Sequence, residues 1–261
     1  MFLIYLFIFI FGACVGSFLN VVILRLHSGE KFIRGRSHCQ NCGHVLSWLE
    51  NIPLASFIFL HGRCKNCQTK ISWQYPLVEF TAGILFIIPL FFYPSILLIL
   101  YSWAVISFLI IIFVYDFKYQ LILDKIILPA IIVVLFSQAF LLILKNNFNY
   151  SLLTTHYSLL IFSAIIISSF FLAQYLISRG RWIGGGDIRL GFLMGLILGW
   201  PNCLVGLFLA YVLGLIVSLP LLIFGFKKMS SQIPFGTFLA AATLITLFFG
   251  SEILTWYLSL L

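Results

Sequence analysis

Long apolar runs fill most of this chain, and only short polar stretches separate them. A helix needs about 20 apolar residues to cross the hydrocarbon core of a bilayer. With 62% of its 261 residues hydrophobic and 8% charged, the chain has room for about eight such helices and for no separate soluble domain of ordinary size. We therefore predict an all-α polytopic membrane protein with about eight transmembrane helices.

The predicted spans divide the chain into three parts. Residues 1–24 form a first transmembrane helix, residues 25–76 a cytoplasmic loop that carries cysteines, and residues 77–261 a membrane core. The first apolar run has no basic residue before it and continues to Leu24, so we expect a retained helix and not a cleaved signal peptide. The spans are predicted over about 2–24, 77–92, 96–114, 124–144, 157–178, 188–200, 204–226 and 238–256.

The net charge of +8 is concentrated in the loops. Lys and Arg number seven in 25–75, two in 116–125, three in 179–189 and two in 227–228, which leaves one of the 15 elsewhere. If the first span runs from outside to inside, these four segments share one side, and the positive-inside rule makes that side cytoplasmic. The basic excess is therefore a topology signal, and we expect membrane lipid but no nucleic acid as a partner.

Four of the six cysteines form two Cys-x-x-Cys pairs in the polar loop, with 21 residues between the pairs. Each pair suits a tight turn that presents two thiolates, and two such turns can make a tetrahedral zinc site. A cytoplasmic location argues against disulfides, so we predict structural zinc, with redox dithiols or metal-free thiols as alternatives. His38, His44 and His61 lie nearby and could replace a ligand. The predicted ligands are Cys39, Cys42, Cys64 and Cys67.

The chain has only three aspartates, and two of them flank the same predicted inner loop. Asp116 ends a span, where its charge opposes the helix dipole and has no capping role, so we assign it a function. Asp124 begins the next span and has the position of an N-cap, which we favour over catalysis. Glu79 lies near the cytoplasmic end of the second span, where interaction with the helix dipole and a functional role agree equally with the sequence.

The third aspartate, Asp187, follows a run of three glycines, Gly184, Gly185 and Gly186. Glycine lets another chain approach closely, and a carboxylate beside a membrane is costly without a purpose. The span after it is short and has glycines at 191, 195 and 199, a spacing that lets helices pack tightly. We therefore expect Asp187 to be recessed in the protein and functional, with capping of its own helix as the alternative.

We predict that Asp116 and Asp187 meet as the acid pair of an intramembrane protease. Two neighbouring carboxyl groups do not both ionise readily, so one keeps a proton at neutral pH. The charged member can take a proton from water while the protonated member polarises the scissile carbonyl. The sequence has none of the signatures of zinc peptidases, serine hydrolases or phosphate-binding loops.

With these features the chain resembles the bacterial type IV prepilin peptidases, a branch of the Gly-x-Gly-Asp intramembrane aspartyl proteases. Asp187 with its glycines matches the second catalytic motif of that family, and Asp116 matches the first, with Asp124 eight residues on. Three residues depart from the family pattern, each in place of a proline, and we expect them to alter only local loop geometry: His27, Leu123 and Thr237. Further matching motifs extend over nearly the whole chain: Gly16 to Val22, Arg36 to Cys39, Asn51 to Leu54, Tyr75 to Glu79 and Ile233 to Gly236.

The resemblance implies a multi-pass enzyme of the bacterial inner membrane whose site faces the cytoplasm. It would remove the short basic leader of prepilins or pseudopilins, the subunits of type IV pili and of type II secretion. Many members also methylate the new N-terminus with S-adenosylmethionine, an activity associated with the cysteine-bearing region. The sequence itself shows no methyl-donor site and indicates no oligomeric state.

Two other classes of function remain as alternatives. One is a non-catalytic membrane scaffold whose zinc loop recruits a partner and whose aspartates serve only as helix caps. The other is a proton-coupled carrier that uses the aspartates as a relay. A carrier is expected to contain an internal repeat, and we identify none in the sequence.

Overall fold

The computed structural model describes residues 2–30, 35–147, 157–225 and 234–260. The basic turn predicted at 227–228 and Ile233 of the last matching motif lie outside these ranges. The described residues form ten α-helices: α1 (Phe2–Ser28), α2 (Ala55–Phe59), α3 (Gln74–Ile87), α4 (Pro89–Phe92), α5 (Ile96–Tyr119), α6 (Asp124–Asn147), α7 (Tyr157–Ser178), α8 (Gly185–Leu198), α9 (Asn202–Ile223) and α10 (Phe235–Leu258).

Seven helical segments of the described chain are long and apolar enough to cross a membrane. They are α1, α3 together with α4, α5, α6, α7, α9 and α10. The prediction of an all-α polytopic membrane protein is therefore confirmed. The predicted sixth span is α8, which has 14 residues and a length of about 21 Å. That is less than the roughly 30 Å of a bilayer core, so the described chain has seven full-length spans, and a short helix stands where the sixth of the eight spans was predicted.

The chain divides into two compact units, Met1–Ile111 and Ile112–Leu261. In the first unit, α1 and α3 pack closely through glycine. A Cβ atom on Gly16 would lie 2.9 Å from the Cβ of Ala82, so only glycine fits there. Asn20 of α1 donates a hydrogen bond from Nδ2 to the carbonyl of Tyr75 at 3.2 Å. The small residues and the amide near the inner end of the first span thus hold two membrane helices together.

In the second unit, α8 is the buried central helix. A Cβ on Gly195 would lie 2.5 Å from Cα of Ala164 on α7, and Ser163 Oγ donates to the carbonyl of Gly195 at 2.8 Å. The predicted glycine ridge therefore does bring α7 and α8 into close contact. Its third member has another role, because Gly199 has a φ of +65° and ends the helix.

Candidate active site and metal centre

Asp116 lies in the last turn of α5 and is 4% exposed. Its Oδ2 atom accepts two hydrogen bonds from Thr237, one from the backbone N–H at 2.7 Å and one from the hydroxyl at 3.0 Å. Thr237 is the third residue of α10, where a helix has N–H groups without a partner inside the helix. Asp116 therefore caps the start of a helix that follows it by more than a hundred residues.

Thr237 corrects one expectation from the sequence. Its replacement of the proline of the family pattern was expected to affect only loop geometry, and this expectation is wrong. A proline would offer neither an N–H nor a hydroxyl, whereas Thr237 donates both to Asp116. The contact joins positions 121 residues apart, so no local pattern in the sequence could have revealed it.

Asp187 is the third residue of α8 and is 7% exposed. Its Oδ2 atom accepts a hydrogen bond from the backbone N–H of Gly184, the N-cap residue, at 3.0 Å. The capping role considered from the sequence is therefore real, but it occupies one oxygen. Within the described residues, no hydrogen bond reaches Oδ1 of Asp187 or Oδ1 of Asp116. Among the described residues, each carboxyl group therefore uses only one of its oxygens in a hydrogen bond.

The two carboxyl groups are close enough to interact electrostatically. Ile122 lies in the link between α5 and α6. It contacts the start of α8, which carries Asp187, and the start of α10, which binds Asp116. A Cβ on Gly186 would lie 2.7 Å from Ile122 Cβ, and a Cβ on Gly236 would lie 2.7 Å from Ile122 Cδ1 and 3.0 Å from Asp116 Oδ2. The structure thus brings together the ends of three helices, and the glycines allow the approach. No motif in the sequence marks Ile122 as part of the site.

Asp124 is not part of this pair. It is the first residue of α6, and Leu123 before it accepts the N–H of Ile127, so Leu123 and not Asp124 has the N-cap position. The predicted cap is therefore corrected. The Asp124 side chain instead forms an ion pair with Arg189 of α8, and both side chains are about half exposed. An exposed pair of this kind contributes little stability, about 0–1 kcal/mol.

Glu79 has a role that neither interpretation of the sequence described. It is buried in α3 of the first unit, and its Oε2 atom accepts the backbone N–H of Leu54 at 2.8 Å. Leu54 has a φ of +61°, a backbone conformation that residues other than glycine rarely adopt without strain. Glu79 therefore fastens the polar loop to the membrane helices.

The four predicted zinc ligands form one cluster, with all Sγ atoms within 4.8 Å of one another. The Sγ atoms of Cys39 and Cys67 are 3.8 Å apart. Sulfur atoms at the corners of a zinc tetrahedron with bonds of about 2.3 Å are separated by about 3.8 Å. The cluster fits a structural zinc ion, and among the described residues no histidine joins it. His44 lies instead 3.4 Å from a carboxyl oxygen of Glu50.

Hydrogen bonds to sulfur support the same assignment. Thr69 lies 3.2 Å from Cys67 Sγ, and the hydrogen bonds from its side chain and its backbone lower the pKa of the Cys67 thiol to about 5. Asn66 donates from Nδ2 to Cys42 Sγ at 3.7 Å. Donors of this kind stabilise the thiolates that bind a metal.

The two cysteine turns are copies of one another, displaced by 25 positions. Gly43 N–H bonds to Cys39 O at 2.9 Å, and Gln68 N–H bonds to Cys64 O at 3.0 Å. The sequence repeats as well, with Cys-x-Asn-Cys in both turns and Ser-Trp at 47–48 and 72–73. We identified no internal repeat from the sequence, and for this loop that interpretation is wrong. The copy is short and lies outside the membrane helices, so it gives no support to a carrier.

Comparison with known proteins agrees with this architecture. Residues 10–93 match the bacterial peptidase A24 N-terminal domain, and residues 103–219 match the type IV leader peptidase family. A prepilin leader peptidase/N-methyltransferase of Aeromonas salmonicida (strain A449) is 30% identical over 97% of this chain and 93% of its own length. The protein of that name from Bacillus subtilis (strain 168) is 30% identical over 97% of each chain.

A protein of the same name from Myxococcus xanthus (strain DK1622) is 55% identical over 80 residues, which are 31% of this chain and 24% of the relative. No solved structure matches the chain. The two family matches follow one another along the chain, and the first two relatives cover nearly its whole length. The chain belongs to the type IV leader peptidase family.

Proposed function

We propose that this protein is an aspartyl peptidase that removes the leader peptide of prepilin-like proteins at the cytoplasmic face of the bacterial inner membrane. The observation that carries the proposal is the pair of buried carboxyl groups, Asp116 and Asp187, each with one oxygen bound to a backbone N–H and the other without a hydrogen bond from the described residues. The name of the relatives supplies the substrate class. The basic loops supply the side of the membrane.

The chemistry requires the two acids to differ in protonation. The ionised acid takes a proton from a water molecule, and the resulting hydroxide adds to the scissile carbonyl carbon. The protonated acid donates a hydrogen bond to the carbonyl oxygen, which gains negative charge. The amine then leaves with a proton from the acid that took it from water, so each proton removed is returned.

The helix ends around the pair favour this reaction. Asp187 lies in the first turn of α8, and Asp116 binds the first turn of α10. The N-terminus of a helix carries a partial positive charge of about half an elementary charge. Two such ends stabilise negative charge that develops on the reacting carbonyl without having to reorganise during the reaction.

The relatives' printed name also includes N-methyltransferase, and we extend that activity, with S-adenosylmethionine as methyl donor, to this chain. When bound, that molecule supplies the methyl group for the new terminal amine. No step of the peptide hydrolysis passes through it. Zinc bound by the four cysteines would fix the fold of the polar loop.

The test is cleavage of a prepilin-like peptide in detergent by wild type and by Asp116→Asn, Asp187→Asn and Asp124→Asn. Mass spectrometry of the product, with and without S-adenosylmethionine, measures cleavage and methylation together. We expect the first two variants to lose cleavage while folded and Asp124→Asn to retain it. Full activity in Asp116→Asn together with no activity in Asp124→Asn would show that Asp124, and not Asp116, is the first catalytic acid. Full activity in Asp116→Asn and Asp187→Asn would leave the aspartates as helix caps, as a scaffold requires.

A further inference from the structure

Gln174 on α7 and Tyr211 on α9 form a polar pair on the largely apolar surface of the second unit. Gln174 Nε2 donates a hydrogen bond to the Tyr211 hydroxyl at 3.0 Å, and the hydroxyl donates to Gln174 Oε1 at 3.1 Å. Both residues lie in candidate membrane spans, yet Tyr211 is 40% exposed. Polar side chains in a membrane are costly unless they find hydrogen-bond partners. Gln174 is half-buried, so the pair joins α7 to α9 and its Tyr211 member remains accessible from the surface.

The pair lies next to the start of α10, the helix whose third residue holds Asp116. The Tyr211 ring packs on Phe235, with centroids 5.1 Å apart. Phe235 is the first residue of α10 and stands two positions before Thr237, which holds Asp116. A peptide that reaches the acid pair along this side therefore passes the Gln174–Tyr211 pair.

A peptide in such a place needs the hydrogen bonds that this pair can make. To expose a scissile carbonyl, the substrate must give up local helical bonding, and the released N–H and C=O groups find no water in the bilayer core. A glutamine amide has both an acceptor oxygen and a donor nitrogen, the same complement as a peptide group. A tyrosine hydroxyl can donate and accept as well.

We propose that Gln174 and Tyr211 form a binding site for the extended backbone of the peptide substrate next to the scissile bond. This inference rests on the proposed peptidase function and names a subsite for it. Without substrate, the two side chains satisfy each other. With substrate, a peptide N–H and C=O take the place of the hydroxyl at Gln174, and the Tyr211 hydroxyl binds a second peptide group. Phe235 provides an apolar wall for the neighbouring substrate side chain.

The kinetic test compares Gln174→Leu and Tyr211→Phe with wild type in lipid nanodiscs, with a prepilin that retains its apolar segment as substrate. We expect KM to rise about tenfold while kcat stays within about twofold, since the pair binds the peptide without touching the reacting atoms. Tyr211→Phe keeps the ring that packs on Phe235, so this variant separates the hydroxyl from the fold.

Ser169→Ala is the matched control. Ser169 is also an exposed polar residue of α7, but its hydroxyl bonds to the carbonyl of Ile166 in its own helix at 2.8 Å, so KM should stay at the wild-type value. Wild-type KM in both Gln174→Leu and Tyr211→Phe overturns the subsite and leaves the peptidase intact. Absence of cleavage by wild type itself would instead contradict the proposed function.

A second measurement detects binding without turnover. In an Asp187→Asn background, p-benzoylphenylalanine in place of Tyr211 should form a photo-crosslink to the prepilin near its cleavage position. The same group in place of Ile216, which is exposed on another side of α9, should form none. Equal crosslinking at both positions, or none at position 211, overturns the inference.

Discussion

At the scale of single residues, Thr237 fixes the position of the Asp116 carboxyl group through two hydrogen bonds. We expect Thr237→Val to lower kcat about tenfold, because valine lacks the hydroxyl that donates to Asp116 and a hydrogen bond to a charged group is worth about 1.5–3 kcal/mol. Thr237→Ser keeps the hydroxyl and should retain kcat within about twofold. Single-turnover cleavage of a prepilin peptide measures the effect. Equal rates for the valine and serine variants would show that the backbone N–H alone positions Asp116.

Gln68 is a second residue whose conformation leads to a prediction. It stands in the second cysteine turn with a φ of +57°, where the first turn has Gly43 with a φ of +70°. Gln68→Gly relieves the strain of a left-handed backbone conformation, while the extra freedom of glycine in the unfolded chain offsets part of this gain. We expect the free energy of unfolding of the loop to rise by about 0.5–1 kcal/mol. That corresponds to a rise of about two- to fivefold in zinc affinity in competition with a chromogenic chelator.

Gly43→Ala is the opposite variant for the same measurement. No atom lies within 4 Å of the position of a Cβ on Gly43, so the substitution tests backbone strain without a clash. Its zinc affinity should fall by a comparable factor. A fall in zinc affinity for Gln68→Gly would mean that the two turns do not share one backbone requirement.

At the scale of elements, two neighbouring glycines at the start of α8 differ in how closely other atoms approach them, a difference that the sequence does not reveal. A Cβ on Gly186 would lie 2.7 Å from Ile122 Cβ, whereas a Cβ on Gly185 meets nothing within 4 Å. We expect Gly186→Ala to lower kcat/KM at least tenfold, because a displacement of the acid by a fraction of an ångström disturbs the reacting geometry. Gly185→Ala should keep wild-type activity and a wild-type melting temperature. Loss of activity in both variants would place the requirement in backbone freedom and not in the contact with Ile122.

The elements themselves could largely be predicted from the sequence. Apolar runs bounded by polar turns predicted the helix ends to within about five residues, since a membrane helix must satisfy its own backbone hydrogen bonds. The Cys-x-x-Cys spacing also predicted a four-thiol cluster, because each turn presents its own two ligands. The match between the two turns was missed because it shows in the backbone hydrogen bonds and in only a few identical side chains. The N-cap at Leu123 was missed because the ion pair with Arg189 depends on tertiary contact.

For the whole molecule, the pairing of Asp116 with Asp187 follows from chemistry, since rare acids at membrane helix ends need a common purpose, and it stays a prediction. How each acid is held could not be predicted. Gly236 and Thr237 lie against Asp116 from a distant part of the chain, and periodicity carries no information about such contacts. The same holds for Glu79 and its bond to Leu54 in the first unit.

A prediction for the whole molecule follows from the length of α8. This helix has 14 residues and is buried, whereas α9, which packs on it, has 22; the difference in length is about 12 Å. Lipid acts on the longer outer helices, and a bilayer thicker than those helices tilts them against α8 and the acid that it carries. We therefore expect kcat to be several-fold higher in nanodiscs of lipids with about 14-carbon chains than with about 22-carbon chains. Thermal unfolding in each lipid serves as the control for an intact fold, and equal rates in all lipids would contradict the prediction.

The short helix also determines how deep its own ends lie. The residues of α8 from Leu193 to Leu198 are buried in the second unit, so protein and not lipid surrounds this helix. Since about 21 Å of helix cannot reach both surfaces of a bilayer core of about 30 Å, at least one end of α8 lies below a membrane surface. Water or substrate that reaches a recessed end must follow a path lined by protein.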